Sequence, residues 1–392
     1  MRDDELRRLL TAVAEDVRPS RPAATGWERA RRVRRARRAA GAAAVAVALL
    51  TAGTAVALRP ADPPPPAAAT PGPTPSAPPV QRPPAELSYP GDPLGRLGDP
   101  VGAKLSARPV RQALALYQPV DPDTGAEGTI RVLGDDGFVR ELDVVTPART
   151  RDAHGNEAVP LKTGSLAPDG RTAAFAQTDE VVVVDLTTAT ARRFPLAGHL
   201  EHVLWSGDRL LVGDDDTTYE MDPRTGVSRK VPLSPWDVVV PDPGGRPDLL
   251  LELGGPPGGL MLHRVATDER GRGQDRVPVR TSGLLPEHRV DEFYGRGWLR
   301  GERLARAGWI SVGNMSGLEG VAVLDARTGT VTQLLDLGRD VWKGCCEVLG
   351  WDGDGAVLLR RNPGGLLRWR PETGEVTGVT RDLYGAVSLA AR

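Results

Sequence analysis

The 392-residue chain has only two cysteines, and they are neighbours, Cys345 and Cys346. No framework of long-range disulfides can hold it, so its stability must come from a packed core. Lysine is scarce, with four against 46 arginines, a ratio that fits a GC-rich coding sequence better than selected phosphate contacts. Nucleic acid is therefore not an expected partner. Aromatic residues make up 4% of the chain, which leaves packing mainly to aliphatic side chains. Catalytic signatures are missing as well. No G-x-S-x-G elbow occurs, and in "GNMSG", Gly313 to Gly317, Ser316 falls one position late. "GRGQDR" and "GRGWLRG" complete neither G-x-G-x-x-G nor a Walker sequence, and both read as turns. His199 and His202 in "HLEH" lack a third ligand at metal spacing and read as exposed loop histidines. Asp214, Asp215 and Asp216 lack the following glycine and distal glutamate of a calcium loop, and read as a solvated acidic turn. No enzyme, cofactor or metal site is expected.

Charge is distributed unevenly along a chain whose formal net charge is −1. Residues 1–38 hold 12 Arg against 6 acidic residues, a local excess of +6 over a mildly acidic remainder. Ala39 to Leu58 follows, twenty residues without a charge. At about 1.5 Å per residue a helix of that length spans roughly 30 Å, enough to cross a bilayer. Seven arginines between Arg29 and Arg38 precede it and Arg59 stands alone after it, which keeps the N-terminus cytoplasmic. An uncleaved single-pass anchor is favoured over a cleaved signal peptide, although Ala55-Val56-Ala57 fits a small-x-small cleavage site. Within the tail, Leu6, Leu9, Leu10, Val13 and Val17 recur at helical spacing, as in an amphipathic helix lying on the inner leaflet or docking a cytoplasmic partner.

From Arg59 to Pro84 the composition shifts to Pro, Ala and Thr, with twelve prolines. Such a stretch buries no core and favours extended polyproline II, so residues 59–99 read as an extracytoplasmic spacer. Residues 100–392 then carry a repeated phrase: "VVVVDLTTATARRF", "YEMDPRTGVSRKV", "AVLDARTGTVTQL" and "RWRPETGEVTGV". Asp185, Asp222 and Asp325 open these turns, and Gly226, Gly329 and Gly374 take the left-handed position without steric cost. A second phrase precedes the first, as in "LAPDGRTAAFA" with Asp169 and Gly170 at its turn. Weaker copies run from Ala113 to Asp143 and from Trp236 to Val279.

Four short strands repeated at roughly 45-residue spacing make an all-β propeller, because a lone blade exposes two edges and an apolar face. Six blades are favoured, with a seventh if Pro278 to Leu304 holds a degenerate one. Ala386 to Ala390 is a candidate closing strand. "LAPDGRTAAFAQTDEVVVVDL" resembles the Pro-Asp-Gly repeats of TolB-like six-bladed propellers and their WD40-like relatives. The Arg-rich tail, Ala-rich span and Pro-rich spacer resemble membrane-anchored propeller proteins of actinobacteria. The resemblance implies binding on the end faces of the ring and supplies no catalytic residues.

The expected function is an anchored extracytoplasmic binding or scaffold module for a protein, peptide or wall ligand. A transmembrane relay is the alternative, its tail holding a regulator such as a sigma factor. A hydrolase or lyase with acid–base residues in the axial channel is the minor reading. Adjacent Cys345 and Cys346 can close a vicinal disulfide on a ligand-facing loop, or stay reduced with one thiol buried and the other in a loop. The tryptophans read as blade packing rather than a sugar-stacking surface.

Overall fold

Strands with alternating apolar side chains bury little until sheets stack face to face, and that stacking organises this chain. The computed structural model describes residues 78–391 apart from 153–154, 215, 242, 244–248, 255–258, 267–273, 282, 340, 342–344 and 362–363. The amphipathic tail helix, the apolar run Ala39–Leu58 and most of the Pro-rich stretch lie outside the described residues, as does His154. Among the described residues no helix is long and apolar enough to cross a membrane.

In chain order, β1 (Val80–Gln81) and a 3-10 helix (Pro93–Gly98) come first, then β2 (Ala103–Lys104), β3 (Ala113–Pro119), β4 (Arg131–Gly134) and β5 (Val139–Glu141). A small hairpin, β6 (Thr150–Arg151) and β7 (Glu157–Ala158), leads to β8 (Thr172–Asp185) and β9 (Thr190–His199). An antiparallel meander follows, made of β10 (His202–Ser206), β11 (Arg209–Gly213), β12 (Thr218–Met221) and β13 (Ser228–Val231). The next sheet holds β14 (Leu249–Gly254), β15 (Met261–Ala266) and β16 (Gln274–Pro278). After it come β17 (His288–Arg300), β18 (Arg303–Val312), β19 (Met315–Asp325) and β20 (Val331–Gly338). Last are β21 (Cys346–Trp351), β22 (Val357–Arg361), β23 (Leu366–Arg370), β24 (Glu375–Thr380) and β25 (Gly385–Leu389).

Five of the sheets have three to five strands, and β8 with β9 forms a two-stranded sheet between the first two of them. β8 is a special case. Its 14 residues would span about 46 Å if extended, yet the Leu186 N–H donates to Arg171 O at 2.9 Å. The run therefore doubles back, and Asp179 sits in the left-handed region at φ +61°. Ser165 to Ala167 lies along its first half, where the Ala174 N–H donates to Ser165 O at 2.8 Å.

Strand parity sends the two faces of each sheet to different neighbours. Val182 and Val184 pack with Leu116, Val132 and Phe175, whereas Val181 and Val183 pack with Trp205, Leu210 and Val212. Leu204 and Leu211 meet Leu250 and Val265, and Leu251 and Leu253 meet Leu304 and Ile310. Ala305 and Ala307 meet Val357, Leu359 and Trp369. Finally Leu349, Leu358 and Leu366 meet Ala115, Tyr117 and Leu133, which belong to the sheet where the series began. The layers close into a β-propeller. Each such buried Leu or Val contributes about 1.5–3 kcal/mol relative to exposure.

The C-terminal strand β25 pairs antiparallel with β3, Ser388 opposite Leu116, so strands from the start and the end of the ring share one sheet. Pro278 to Leu304 forms no separate sheet among the described residues, because β17 is the first strand of the β17–β20 sheet. Packing also starts upstream of residue 100. β1 pairs in parallel with β20, Val80 opposite Leu334, and Leu94 and Leu97 are buried.

The repeated turns share one geometry. The Asp325 carboxylate accepts from the Arg327 and Thr328 N–H groups at 2.9 and 2.7 Å, while the Gly329 N–H closes on Asp325 O at 2.8 Å. Asp222 and Asp185 accept in the same way from the Arg224 and Thr187 N–H groups, both at 2.8 Å. Gly226, Gly329 and Gly374 have φ between +72° and +79°. Gly170, at φ +69° beside Asp169, is tighter still: a Cβ there would fall 2.2 Å from Ala113 O. A further copy, Asp121 to Gly125, was not singled out in the sequence, and its Asp121 accepts from the Thr124 N–H at 2.7 Å.

Candidate functional site

β10, β17, β21 and β25 each end their sheet. Their residues meet those of two further segments, 161–163 ahead of β8 and Trp236 ahead of β14, around one recess of about 700 Å³. Terminal strands from around a ring can share a recess only at its axis, so this is one mouth of the axial channel. At the other end the same strands bring together Trp205, Trp298 and Trp351 with Val240 and Leu389, around a void of only about 60 Å³. The Trp351 indole N–H donates to Trp298 O at 2.8 Å and that of Trp205 to Ser165 O at 3.2 Å. These tryptophans pack the axis. A recess of about 850 Å³ lies on the rim beneath residues 82–89, but it draws on far fewer of the sheets.

The wide mouth is charged. Arg296 enters from β17 and donates from Nη1 to Pro235 O at 2.6 Å, with Nη2 3.0 Å from His202 Nδ1. The His202 ring stands edge-on to the Trp236 indole, centroids 4.2 Å apart, and Trp236 itself is 48% exposed. Burial, then the Arg296 and Lys162 charges, hold His202 well below the usual imidazole range, so it is neutral. Burial and the nearby Arg306 bring Arg296 down to about 10. Lys162, with Nζ 3.3 Å from Thr150 Oγ1, is brought by burial to about 8. Glu347 accepts from Arg360 Nη2 at 2.9 Å and from the Thr163 hydroxyl, and Arg360 also donates to Gly385 O.

The charges are unequally matched. Glu347 pairs with Arg360. Among the described residues neither Lys162 nor Arg296 has a carboxylate oxygen within 4.0 Å. Such a site can hold an anion beside an aromatic wall, and no serine or thiol nucleophile is set against a base there.

Several sequence expectations change position. His202 is a partly buried wall of the mouth rather than an exposed loop histidine, because β10 carries it inward, whereas His199 at the end of β9 stays exposed. "GRGWLRG" is part of β17 and the hairpin that follows it, not a free turn, and it supplies Gly295 and Arg296 to the mouth. Asp214 accepts from the Asp216 and Thr217 N–H groups at 3.0 and 2.7 Å as a closed turn, and Asp215 lies outside the described residues. Ser316 is exposed in the β18–β19 hairpin. Cys345 and Cys346 are both fully buried, packed with Val348, Val357 and Trp369 between two sheets, so neither thiol is on a loop facing the mouth. Trp342 is outside the described residues. Lys162, Arg296, Glu347 and Arg360 were not foreseen. The one available signal was rarity, since Lys162 is one of four lysines.

No family model matches the chain, and no curated protein does. Solved structures with distant similarity include a nidogen/laminin complex, at 9% identity over 70% of this chain and 97% of that one, TM-score 0.43. A putative TolB from Agrobacterium tumefaciens is 16% identical over 64% of this chain and 91% of its own, TM-score 0.39. The β-propeller domain of the Trilobed protease from Pyrococcus furiosus is 15% identical over 70% and 97%, TM-score 0.35. At these values none bears on what this chain does.

Proposed function

We propose that the chain is a binding module that receives its ligand at the wide mouth of the axial channel. The observation that carries this reading is the convergence of terminal strands on one recess with an exposed indole and two cations lacking carboxylate partners. A fold that only packs its axis would fill both ends as it fills the tryptophan end. The five sheets of three to five strands form five blades, and we infer a sixth made of Ser165–Ala167, the doubled β8 and β9. The apolar clusters on either side of β8–β9, one shared with β3 and β4 and the other with β10 and β11, support that sixth.

The charge step across Ala39–Leu58 and the twelve prolines of Arg59–Pro84 support an anchored ring held outside the membrane. A photo-crosslinking residue placed at Trp236 of the full chain, in cells, tests the binding reading. Adducts at that site and none at Val227, 70% exposed in the β12–β13 turn, are expected. Identical adducts from both positions, or none from Trp236, would remove it. Protease added to intact wall-stripped cells should digest residues 78–391; full protection would remove the outward orientation.

A further inference from the structure

The chemistry of the mouth narrows what it binds, and this step rests on the binding reading above. Lys162, from the segment ahead of β8, and Arg296, from β17, share one recess. The hydrogen bonds of Arg296 go to the Pro235 and Val238 carbonyls and to neutral His202, all uncharged acceptors. Glu201 and Glu347 act on both cations, and Asp237 on Arg296, without contact, and a partly buried cation with no carboxylate in contact gains from a ligand anion. The carboxylates nearby limit how negative the ligand can be. Glu347 and Arg360 line the recess as a neutral pair, and Glu201, 6% exposed, lies beside His202, Nε2 to Oε1 3.3 Å. A dianion would feel both carboxylates, while a single negative charge is matched. The remaining wall is mostly apolar, Val120, Val159, Leu161, Val387 and the Trp236 ring, with Asp121 at its edge, where the carboxylate already accepts from the Asp123 and Thr124 N–H groups.

We propose that the axial mouth recognises one carboxylate group joined to an apolar or aromatic group, with Lys162 and Arg296 taking the carboxylate and Trp236 the apolar part. A peptide presents that combination in two ways, at its C-terminus or at an acidic side chain next to an apolar residue. The carboxylate would accept hydrogen bonds from Lys162 Nζ and from the guanidinium, in a recess roomy enough for one or two residues. The apolar part would lie over the exposed indole.

Calorimetric titration of the full chain with four probes tests this. They are N-acetyl-Ala-Phe as the free acid, N-acetyl-Ala-Phe amide, N-acetyl-Ala-Glu amide and inorganic phosphate. One of the two acids should bind at least about tenfold more tightly than the uncharged amide, as charge-assisted bonds require. The free acid binding best assigns a C-terminus; the glutamyl amide binding best assigns a side chain. Lys162→Gln and Arg296→Lys should each weaken that acid about tenfold or more while the protein still melts cooperatively, and Trp236→Ala should weaken it while sparing the preference for acid over amide. Equal binding of acid and amide would overturn the proposal. So would tighter binding of phosphate, no binding of either acid at about 10 mM, or acid binding untouched by Lys162→Gln and Arg296→Lys. If Trp236 crosslinks a partner while both acids fail, the carboxylate assignment falls and the binding reading stands.

Discussion

Trp369 is fully buried, and its indole N–H donates to Gln81 Oε1 at 2.6 Å across 288 residues of chain. The same amide donates from Nε2 to Pro371 O at 2.7 Å and to Pro78 O at 3.0 Å, so the segment 78–99 that carries β1 is a strap tied to the ring through both ends of one side chain. Gln81→Leu would leave the indole N–H and a buried carbonyl without partners, a loss of about 2 kcal/mol or more. For the same reason a chain begun at residue 100 should melt below one begun at residue 78. Equal melting would mean the strap lies on the ring without supporting it.

Ala189 holds the position that Gly226 and Gly329 hold in sister turns, and it does so at φ +52°. A left-handed alanine is strained by roughly 1 kcal/mol, so Ala189→Gly should stabilise the protein by about 0.5–1 kcal/mol. Gly329→Ala should do the reverse and more strongly, since its Cβ would fall 2.4 Å from Pro278 O. Urea melts of the two variants check the pair; a destabilised Ala189→Gly would remove the shared-turn account.

The turns were legible because they are local. An aspartate accepting from the N–H groups two and three residues on and a residue that tolerates positive φ lie within five positions of sequence. Strand parity was legible for the same reason, and "VVVVD" reads as a two-faced strand before any fold is known. The mouth was not, because Lys162 comes from the segment ahead of β8 and His202, Arg296 and Glu347 from three different sheets. Only ring closure brings them together, and no spacing rule encodes that. The strap was hidden by composition, since Val80 and Gln81 sit inside a proline-rich stretch that reads as spacer. The buried place of Cys345 depends on a neighbouring sheet and was equally out of reach.

Ser388 ties the closing strand to the next sheet. Its hydroxyl accepts from the Leu166 N–H at 2.8 Å and donates to Thr163 O at 2.7 Å, fully out of water. Ser388→Ala orphans both groups and should cost about 1–3 kcal/mol. Removing residues 385–392 should cost far more, because β3 loses one of its two partners and two apolar clusters open. A soluble, cooperatively melting truncation would show that the ring does not need this closure.

Cys345 and Cys346 lie with their sulfurs in contact and no free cysteine beside them. If they are bonded, the protein purified without reductant has a mass two hydrogens below that of the reduced chain and takes up no alkylating reagent even when denatured. Two alkylated thiols in that sample would remove the vicinal bond. Exposed reactivity in the folded state would also contradict the complete burial of both residues.

Glu252 gives the stability of the protein a pH dependence with an unusual sign. Burial, reinforced by the like charge of Asp237, raises its carboxyl to about 7, against the opposing pull of the Ser234 N–H, Arg306 and Arg276. Between the ordinary value of 4.5 and about 7 the folded chain holds a proton that the unfolded chain has released. Stability from this group is therefore present in acid and falls as pH rises through that window. His202 works the other way, since its lowered value makes the unfolded chain the better proton acceptor and costs stability as pH falls below 6.5. The two slopes partly cancel in the parent protein, so the comparison must be with a variant. Glu252→Gln keeps the shape and removes only the carboxyl slope; it should gain about 1–3 kcal/mol on the parent at about pH 8 and little at about pH 5. Urea melts at both pH values read the difference directly. A gap that does not widen with pH would mean that Glu252 ionises normally and that the strand pair β14–β15 is wetter than its packing implies.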